Sequence, residues 1–353
     1  MYVRHGICKK TIGGDLMKAL EKYKLGNVEL KNRLVMPPMC MYSAKDDGKA
    51  NDFHFTHYET RAIGGIGLII VEATAVMPNG RISDRDLGIW TDEQIEGLRE
   101  ISSRIKKHGT CPGIQIAHAG RKSQARATEP IAPSALKFSD DYRMPQAMDE
   151  EDIDHLVQAF VEGAKRAVEA GFEYIEIHGA HGYLNHEFLS PITNQRTDKF
   201  GGSLENRCRL LTWIIDQVKA SIPEHIALGL RVSVSDYVEG GIDGDKMVGI
   251  INQVKEKLDI VHISSGGLAP VAMKAYPGYQ IRFADQVKHE CQVDTIAVGL
   301  ITSIEMIEEI LNNNRSDLVA MGRLLLRDPY FALKMYRQAG VMDGIPEAYE
   351  RGF

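Results

Sequence analysis

Short runs rich in valine and isoleucine recur along this chain, separated by longer stretches in which apolar residues fall three or four apart. The runs are Leu34 to Met36, Gly67 to Ala73, Ile114 to Ala117, Tyr174 to His178, Leu228 to Val234, Ile260 to Ser264, Thr295 to Gly299 and Leu318 to Gly322. Each is short and largely apolar, the pattern of a strand buried on both faces. Between them the spacing predicts helices over Asp92 to His108, Asp149 to Ala170, Asn206 to Ser221, Gly244 to Leu258 and Ser303 to Asn312. In the first, Ile95, Leu98, Ile101 and Ile105 form the stripe and Gly109 the stop. Strand followed by helix, repeated in this way, is the pattern of parallel βα units. The expected fold is of the α/β class, a single (β/α)8 TIM barrel.

The alternation runs on without a Pro/Ser-rich linker, so residues 17–353 are expected to form one barrel domain. Residues 1–16 carry several charges and no long apolar stretch, and are expected to be a leader or an early start codon, because the patterning begins near Met17. The longest interruption, Arg121 to Met148, holds Pro130, Pro133 and Pro145 and little periodicity; it should lie over the barrel mouth. A doubly wound open sheet would also alternate strand and helix, but no Gly-x-Gly-x-x-Gly opens the first helix.

Charge and cysteines narrow the function. The net charge of -6 is spread along the chain, and no basic stripe of the kind that binds nucleic acid is present. The five cysteines are odd in number and scattered, which argues against a disulfide framework, a zinc ribbon or an iron–sulfur centre, and no metal is expected. No apolar run has the length to cross a bilayer, and the expected location is the cytoplasm.

In such a barrel the chemistry gathers at the carboxyl ends of the strands. There the chain carries Pro37-Pro38-Met39-Cys40-Met41-Tyr42, Glu72-Ala73-Thr74, Gln115 and His118, the His178-Gly179-Ala180-His181-Gly182-Tyr183 loop, Arg231, Ser264-Ser265-Gly266-Gly267, Gly299 and Gly322-Arg323. The last three groups read as a phosphate cradle, since glycine lets backbone N–H groups approach an anion and arginine offers a forked cation. Plain structural glycine at tight strand ends is the alternative. His178 and His181 admit three uses: metal ligands, satisfied turn histidines, or paired donors to one substrate oxygen. Tyr183 could deliver a proton or be a partly buried aromatic.

Taken in order, these segments resemble the Old Yellow Enzyme family of flavin oxidoreductases. The resemblance is carried by Lys31-Asn32-Arg33-Leu34-Val35-Met36 leading into Pro37-Pro38-Met39-Cys40, by Gly67 to Ala73, by Gln115 to Lys122 and by the His178 to Tyr183 loop. It continues through Phe188-Leu189-Ser190-Pro191, Asn194 to Asp198, Phe200 to Ser203 and Gly322-Arg323, and spans Met17 to Phe353. Cys40 and the compact length resemble the bacterial, cysteine-containing subgroup.

The resemblance implies a tightly but non-covalently bound FMN and NADPH or NADH as reductant. It implies reduction of the C=C bond of α,β-unsaturated aldehydes, ketones or nitro compounds, with hydride from flavin N5 and a proton from Tyr183. Pro37, Pro38, Met39 and Cys40 would line the flavin, with Ala73 at its edge. Gln115 would hold the pyrimidine side and Arg231 would sit beside N1 and O2. Ser265, Gly266, Gly267, Gly299, Gly322 and Arg323 would surround the phosphate. His178 and His181 would bind the substrate oxygen and Tyr42 would orient the substrate. The tail Tyr349 to Phe353 also resembles that subgroup, so Arg351 is expected to reach a neighbouring active site in a homodimer or homotetramer. Two alternatives are a flavin-free sugar-phosphate barrel, which leaves Gln115 and Arg231 idle, and a non-catalytic flavin carrier switched by Cys40.

Overall fold

The computed structural model describes residues 17–353, so the expected leader, residues 1–16, lies outside the described residues. All eight expected strands are present: β1 (Leu34–Met36), β2 (Leu68–Ala75), β3 (Cys111–Ala117), β4 (Tyr174–Gly179), β5 (Ala227–Ser233), β6 (Ile260–Ser264), β7 (Thr295–Ala297) and β8 (Leu318–Ala320). Every residue in them is buried, as their apolar composition requires. They pair parallel in chain order, and β8 returns to β1 to close a barrel.

Around the barrel run α1 (Asp52–Ile63), α2 (Ile95–Lys106), α3 (Glu150–Glu169), α4 (Leu204–Ser221), α5 (Gly244–Val254), α6 (Ile281–Cys291), α7 (Ile304–Asn312) and α8 (Phe331–Gln338). The fold is a (β/α)8 TIM barrel. Three of these helices were not foreseen. In α1 the inward positions are His54, His57, Tyr58 and Ala62, so two histidines replace the apolar stripe. Both α6 and α8 do carry a buried stripe, Ile281, Phe283, Ala284 and Val287 in one and Phe331, Leu333, Met335 and Tyr336 in the other. The last two strands stop earlier than their apolar runs. Gly299 has φ +135°, outside the sheet, and Gly322 opens a short helix, Gly322–Arg327.

Two separate cores hold the barrel. One fills the space between strands and helices. The other is the barrel interior, built from Val35, Leu68, Ile70, Cys111, Tyr174, Ala227, Ile260, Ile296, Leu318 and Ala320. An antiparallel hairpin, Tyr23–Leu25 with Val28–Leu30, plugs its amino-terminal end and adds Leu25, Val28 and Leu30 to this inner core. Each such side chain contributes roughly 1.5–3 kcal/mol by leaving water. Going up the strands, the positions two apart that share the interior turn from apolar to polar. Strand β4 gives Tyr174, Glu176 and His178, β5 gives Ala227, Gly229 and Arg231, and β6 gives Ile260, His262 and Ser264. The apolar floor fixes the barrel, and the polar ceiling is where ligand chemistry can occur.

Candidate active site

At the carboxyl ends of the strands lies a cavity of about 440 Å³. Pro37, Pro38, Met39, Arg231, Gly299, Gly322 and Arg323, all expected cofactor residues, line it. A Cβ on Gly322 would stand 3.3 Å from Met39 Sδ, so glycine keeps that wall open. Arg231 is buried, its Nη1 lies 3.5 Å from the Pro38 carbonyl, and its Nε has no partner among the described residues. Burial lowers its pKa, while Glu176 acts to keep it charged.

Ser265, Gly266 and Gly267 do not line this cavity. The Ser265 hydroxyl accepts from Gln280 Nε2 at 2.7 Å and from Tyr237 at 2.9 Å. Gly267, at φ +89°, packs against the backbone of His181, to which a Cβ would come within 2.7 Å. Their place in the wall is taken by Ser264 and Gln280, with Tyr279, Leu300 and Thr302 beside them. Gln280, Tyr279, Leu300 and Thr302 were not foreseen, because loop residues of this kind follow no period, whereas Ser264 closes β6 at the expected strand end.

The histidine loop stands beside this cavity. His181 adopts a left-handed backbone with φ 59°, and its N–H donates to Ser233 Oγ at 2.9 Å. The His178 Nδ1 accepts from the Ala180 N–H at 3.1 Å, so in the neutral ring the proton sits on Nε2. His181 Nε2 pairs with Ser264 Oγ at 2.7 Å, and Gln280 Nε2 donates to the same oxygen at 3.3 Å. His178 Nε2–H points at His181 Nδ1, 3.4 Å away, which accepts when the His181 proton sits on Nε2. When the Ser264 hydroxyl donates instead, the His181 proton moves to Nδ1 and both histidines can donate to one ligand oxygen. Burial, then the charge of Arg231, holds both rings well below the usual histidine pKa, so both stay neutral. Such a pair can grip one oxygen as charge grows on it.

Tyr183 packs edge-on to His178 with ring centroids 4.9 Å apart, and burial raises its phenol, which keeps it protonated. Lys122 lies 5.0 Å from the Tyr183 ring centroid and donates to the carbonyls of His181 at 3.0 Å and Gly267 at 3.1 Å. The start of the Arg121 to Met148 segment is thus tied to the histidine loop. Lys122 was not among the expected site residues.

The opposite wall comes from the segment after β1. Tyr42 is 42 % exposed, at φ 51°. Burial raises the Cys40 thiol, which faces the Ala73 backbone and the Tyr42 phenol. Ala73 sits where β2 slips one residue against β3, a bulge that turns it toward this wall. The Met41 N–H donates to Glu72 Oε1 at 3.1 Å, tying the two segments together. Gln115 is buried below, its Nε2 donating to Glu176 at 2.7 Å. Arg351 is exposed and is not among the residues that line the cavity.

A sequence profile of the "NADH:flavin oxidoreductase / NADH oxidase family" matches residues 20–340. The chain belongs to this family. Within it, the Old Yellow Enzyme family, relatives match over almost the whole length. The NADPH dehydrogenase of Clostridium acetobutylicum is 52% identical over 338 residues, covering 96% of this chain and 100% of that one. The NADPH dehydrogenase of Bacillus subtilis is 49% identical, covering 93% and 96%. Among solved structures, morphinone reductase is similar with a TM-score of 0.78 at 27% identity, covering 91% of this chain and 89% of that one. The complex of 2-naphthoyl-CoA reductase gives a TM-score of 0.87 at 25% identity, and this chain spans 52% of that longer protein. As a member of the Old Yellow Enzyme family the chain is an enzyme, a flavin oxidoreductase that uses NAD(P)H. The non-catalytic carrier is thereby set aside, and so is the flavin-free barrel. Among the described residues no helix is long and apolar enough to cross a membrane.

Proposed function

We propose that the cavity binds FMN and that the enzyme reduces the C=C bond of α,β-unsaturated aldehydes, ketones or nitro compounds, with NADPH or NADH as the electron source. The observation that carries this reading is the pair of buried, neutral histidines beside the cavity, with His178 Nε2 and His181 Nδ1 facing each other 3.4 Å apart. A pair of this kind suits one carbonyl or nitro oxygen that gains negative charge.

The residues also fit the flavin. Arg231 has an unpartnered Nε and lines the cavity, as a cation beside the N1/O2 end must. Pro37, Pro38, Met39 and Cys40 would lie along the ring, Ala73 at its edge and Gln115 at its pyrimidine side. Gly299, Gly322 and Arg323 would hold the phosphate, with Ser265, Gly266 and Gly267 supporting that end from behind Ser264. When bound, FMN supplies hydride transfer from the nicotinamide to the alkene. The chain does the rest. His178 and His181 polarise the alkene through its oxygen, Tyr42 orients it, and Tyr183 protonates the α-carbon. Arg351 is proposed to complete the site of a neighbouring copy in a homodimer or homotetramer.

The test is NADPH or NADH oxidation by cyclohexenone and by a nitroalkene, beside the saturated ketone as control. Turnover with the unsaturated compounds alone is expected. Equal turnover with cyclohexanone would contradict the assignment.

A further inference from the structure

Beneath the two histidines the barrel holds a charged group with no part in the scheme above. Glu176, on β4, is fully buried. Its Oε1 accepts from Gln115 Nε2 at 2.7 Å, and its Oε2 accepts from His262 Nδ1 at 2.7 Å and from the Tyr174 hydroxyl at 3.2 Å. Burial acts against its charge, yet His262, Arg231 and Gln115 together hold its carboxyl below the usual carboxylate range. Two strands forgo side chains to make room for this cluster. A Cβ on Gly229 would stand 2.0 Å from the Tyr174 hydroxyl oxygen, and one on Gly113 2.8 Å from the Tyr174 ring. Glycine inside a strand weakens it and marks a close approach, here that of Tyr174 beneath Glu176.

The consequence falls on Gln115. A side-chain amide can turn over, exchanging its acceptor oxygen for its two N–H donors. An ionised carboxylate only accepts, so the amide nitrogen must face Glu176. One N–H is used there, leaving the second N–H and the carbonyl oxygen side by side. That donor–acceptor pair complements an imide edge, which presents C=O next to N–H. The carboxylate also offsets the charge of Arg231.

We propose that Glu176 is a positioning residue that locks the Gln115 amide in one orientation and balances Arg231, so that the barrel end receives the imide edge of a flavin. This rests on the reading of the cavity as an FMN site. Burial lowers the His262 pKa against the pull of Glu176; its Nδ1 pairs with Glu176 and its Nε2 has no partner among the described residues.

The test uses the full-length chain, freed of flavin and titrated with FMN by fluorescence, followed by the midpoint potential of the reloaded protein. In Glu176→Gln the new amide can donate to the Gln115 oxygen, which frees Gln115 to turn over. FMN affinity is expected to fall about tenfold, the loss of one to two hydrogen bonds. The midpoint potential should move to more positive values, since a negative charge beside the reduced, anionic flavin is gone. If the wild type takes up no FMN, the reading of the cavity falls. If the wild type binds FMN and Glu176→Gln matches it in affinity and potential, the role of Glu176 falls while the cavity reading stands. Glu176→Asp, which keeps the charge and an ionised acceptor, is the second variant and serves also if Glu176→Gln does not fold. Its midpoint potential is expected to stay near wild type. A positive shift in Glu176→Asp would show that the charge is not what matters, and would overturn the proposal.

Discussion

His181 Nε2 and Ser264 Oγ lie 2.7 Å apart, and this contact decides which nitrogen of His181 faces the substrate space. When the Ser264 hydroxyl donates, Nδ1–H is left for a ligand. The Ser264 hydroxyl comes from the end of β6 and the histidine from the loop after β4. The clamp therefore depends on the barrel closing, and no local segment could make it.

Removing both donors tests the clamp. His178→Ala with His181→Ala should leave flavin binding in place and slow enone reduction by about 100-fold or more, the usual cost of losing such a donor. Phenol binding, read as a long-wavelength flavin band, should be lost. Turnover near wild type would refute the assignment.

Tyr183 should matter to one half of the cycle only. In Tyr183→Phe, flavin reduction by NADPH is expected to keep its rate, while reoxidation by an enone slows on the order of 100-fold. Stopped-flow absorbance separates the halves. Equal slowing of both would mean that Tyr183 shapes the site and does not supply the proton.

Gly182 and Gly267 lock two loops together. A Cβ on Gly182 would stand 2.2 Å from the Gly267 carbonyl oxygen, and Gly182 has φ +71°. Gly182→Ala should therefore cost about 1–3 kcal/mol from crowding alone. The thermal midpoint should fall, and enone reduction should fall with it, because His181 and Tyr183 flank the site. An unchanged midpoint would show that the loops can part freely.

Buried Glu187 gives a pH test. Burial pushes its carboxyl up to about 8, against the pull of Arg121 and Lys122, while the unfolded chain should sit near about 4.3. A raised folded value means that its contribution is complete below the unfolded value and is lost as pH rises through the folded one. Wild type should thus lose stability relative to Glu187→Gln between about pH 4.3 and 8, by at most about 1.4 kcal/mol per pH unit. Urea unfolding at several pH values reads this difference. A constant difference across that range would contradict it.

The strands were legible because β-branched runs buried on both faces leave an unbroken apolar signal. Helix α1 was not, since His54 and His57 occupy inward positions where an apolar residue would show. The cavity wall formed by Gly299, Gly322 and Arg323 was legible through residue types that suit an anion at strand ends. Gly266 and Gly267 have the same composition, but Gly267 spends its left-handed backbone on packing against His181. Residue type tells that the chain can turn there, and only the fold tells what it turns against. Ser264, Gln280 and Glu176 act through bonds between different strands and loops, which no local pattern carries.

The most direct measurement is the absorbance spectrum of the purified full-length protein, before and after added FMN and then NADPH under anaerobic conditions. A yellow protein whose flavin band bleaches with NADPH and returns with cyclohexenone is the predicted result. A protein that is colourless and takes up no FMN when it is supplied would contradict the account.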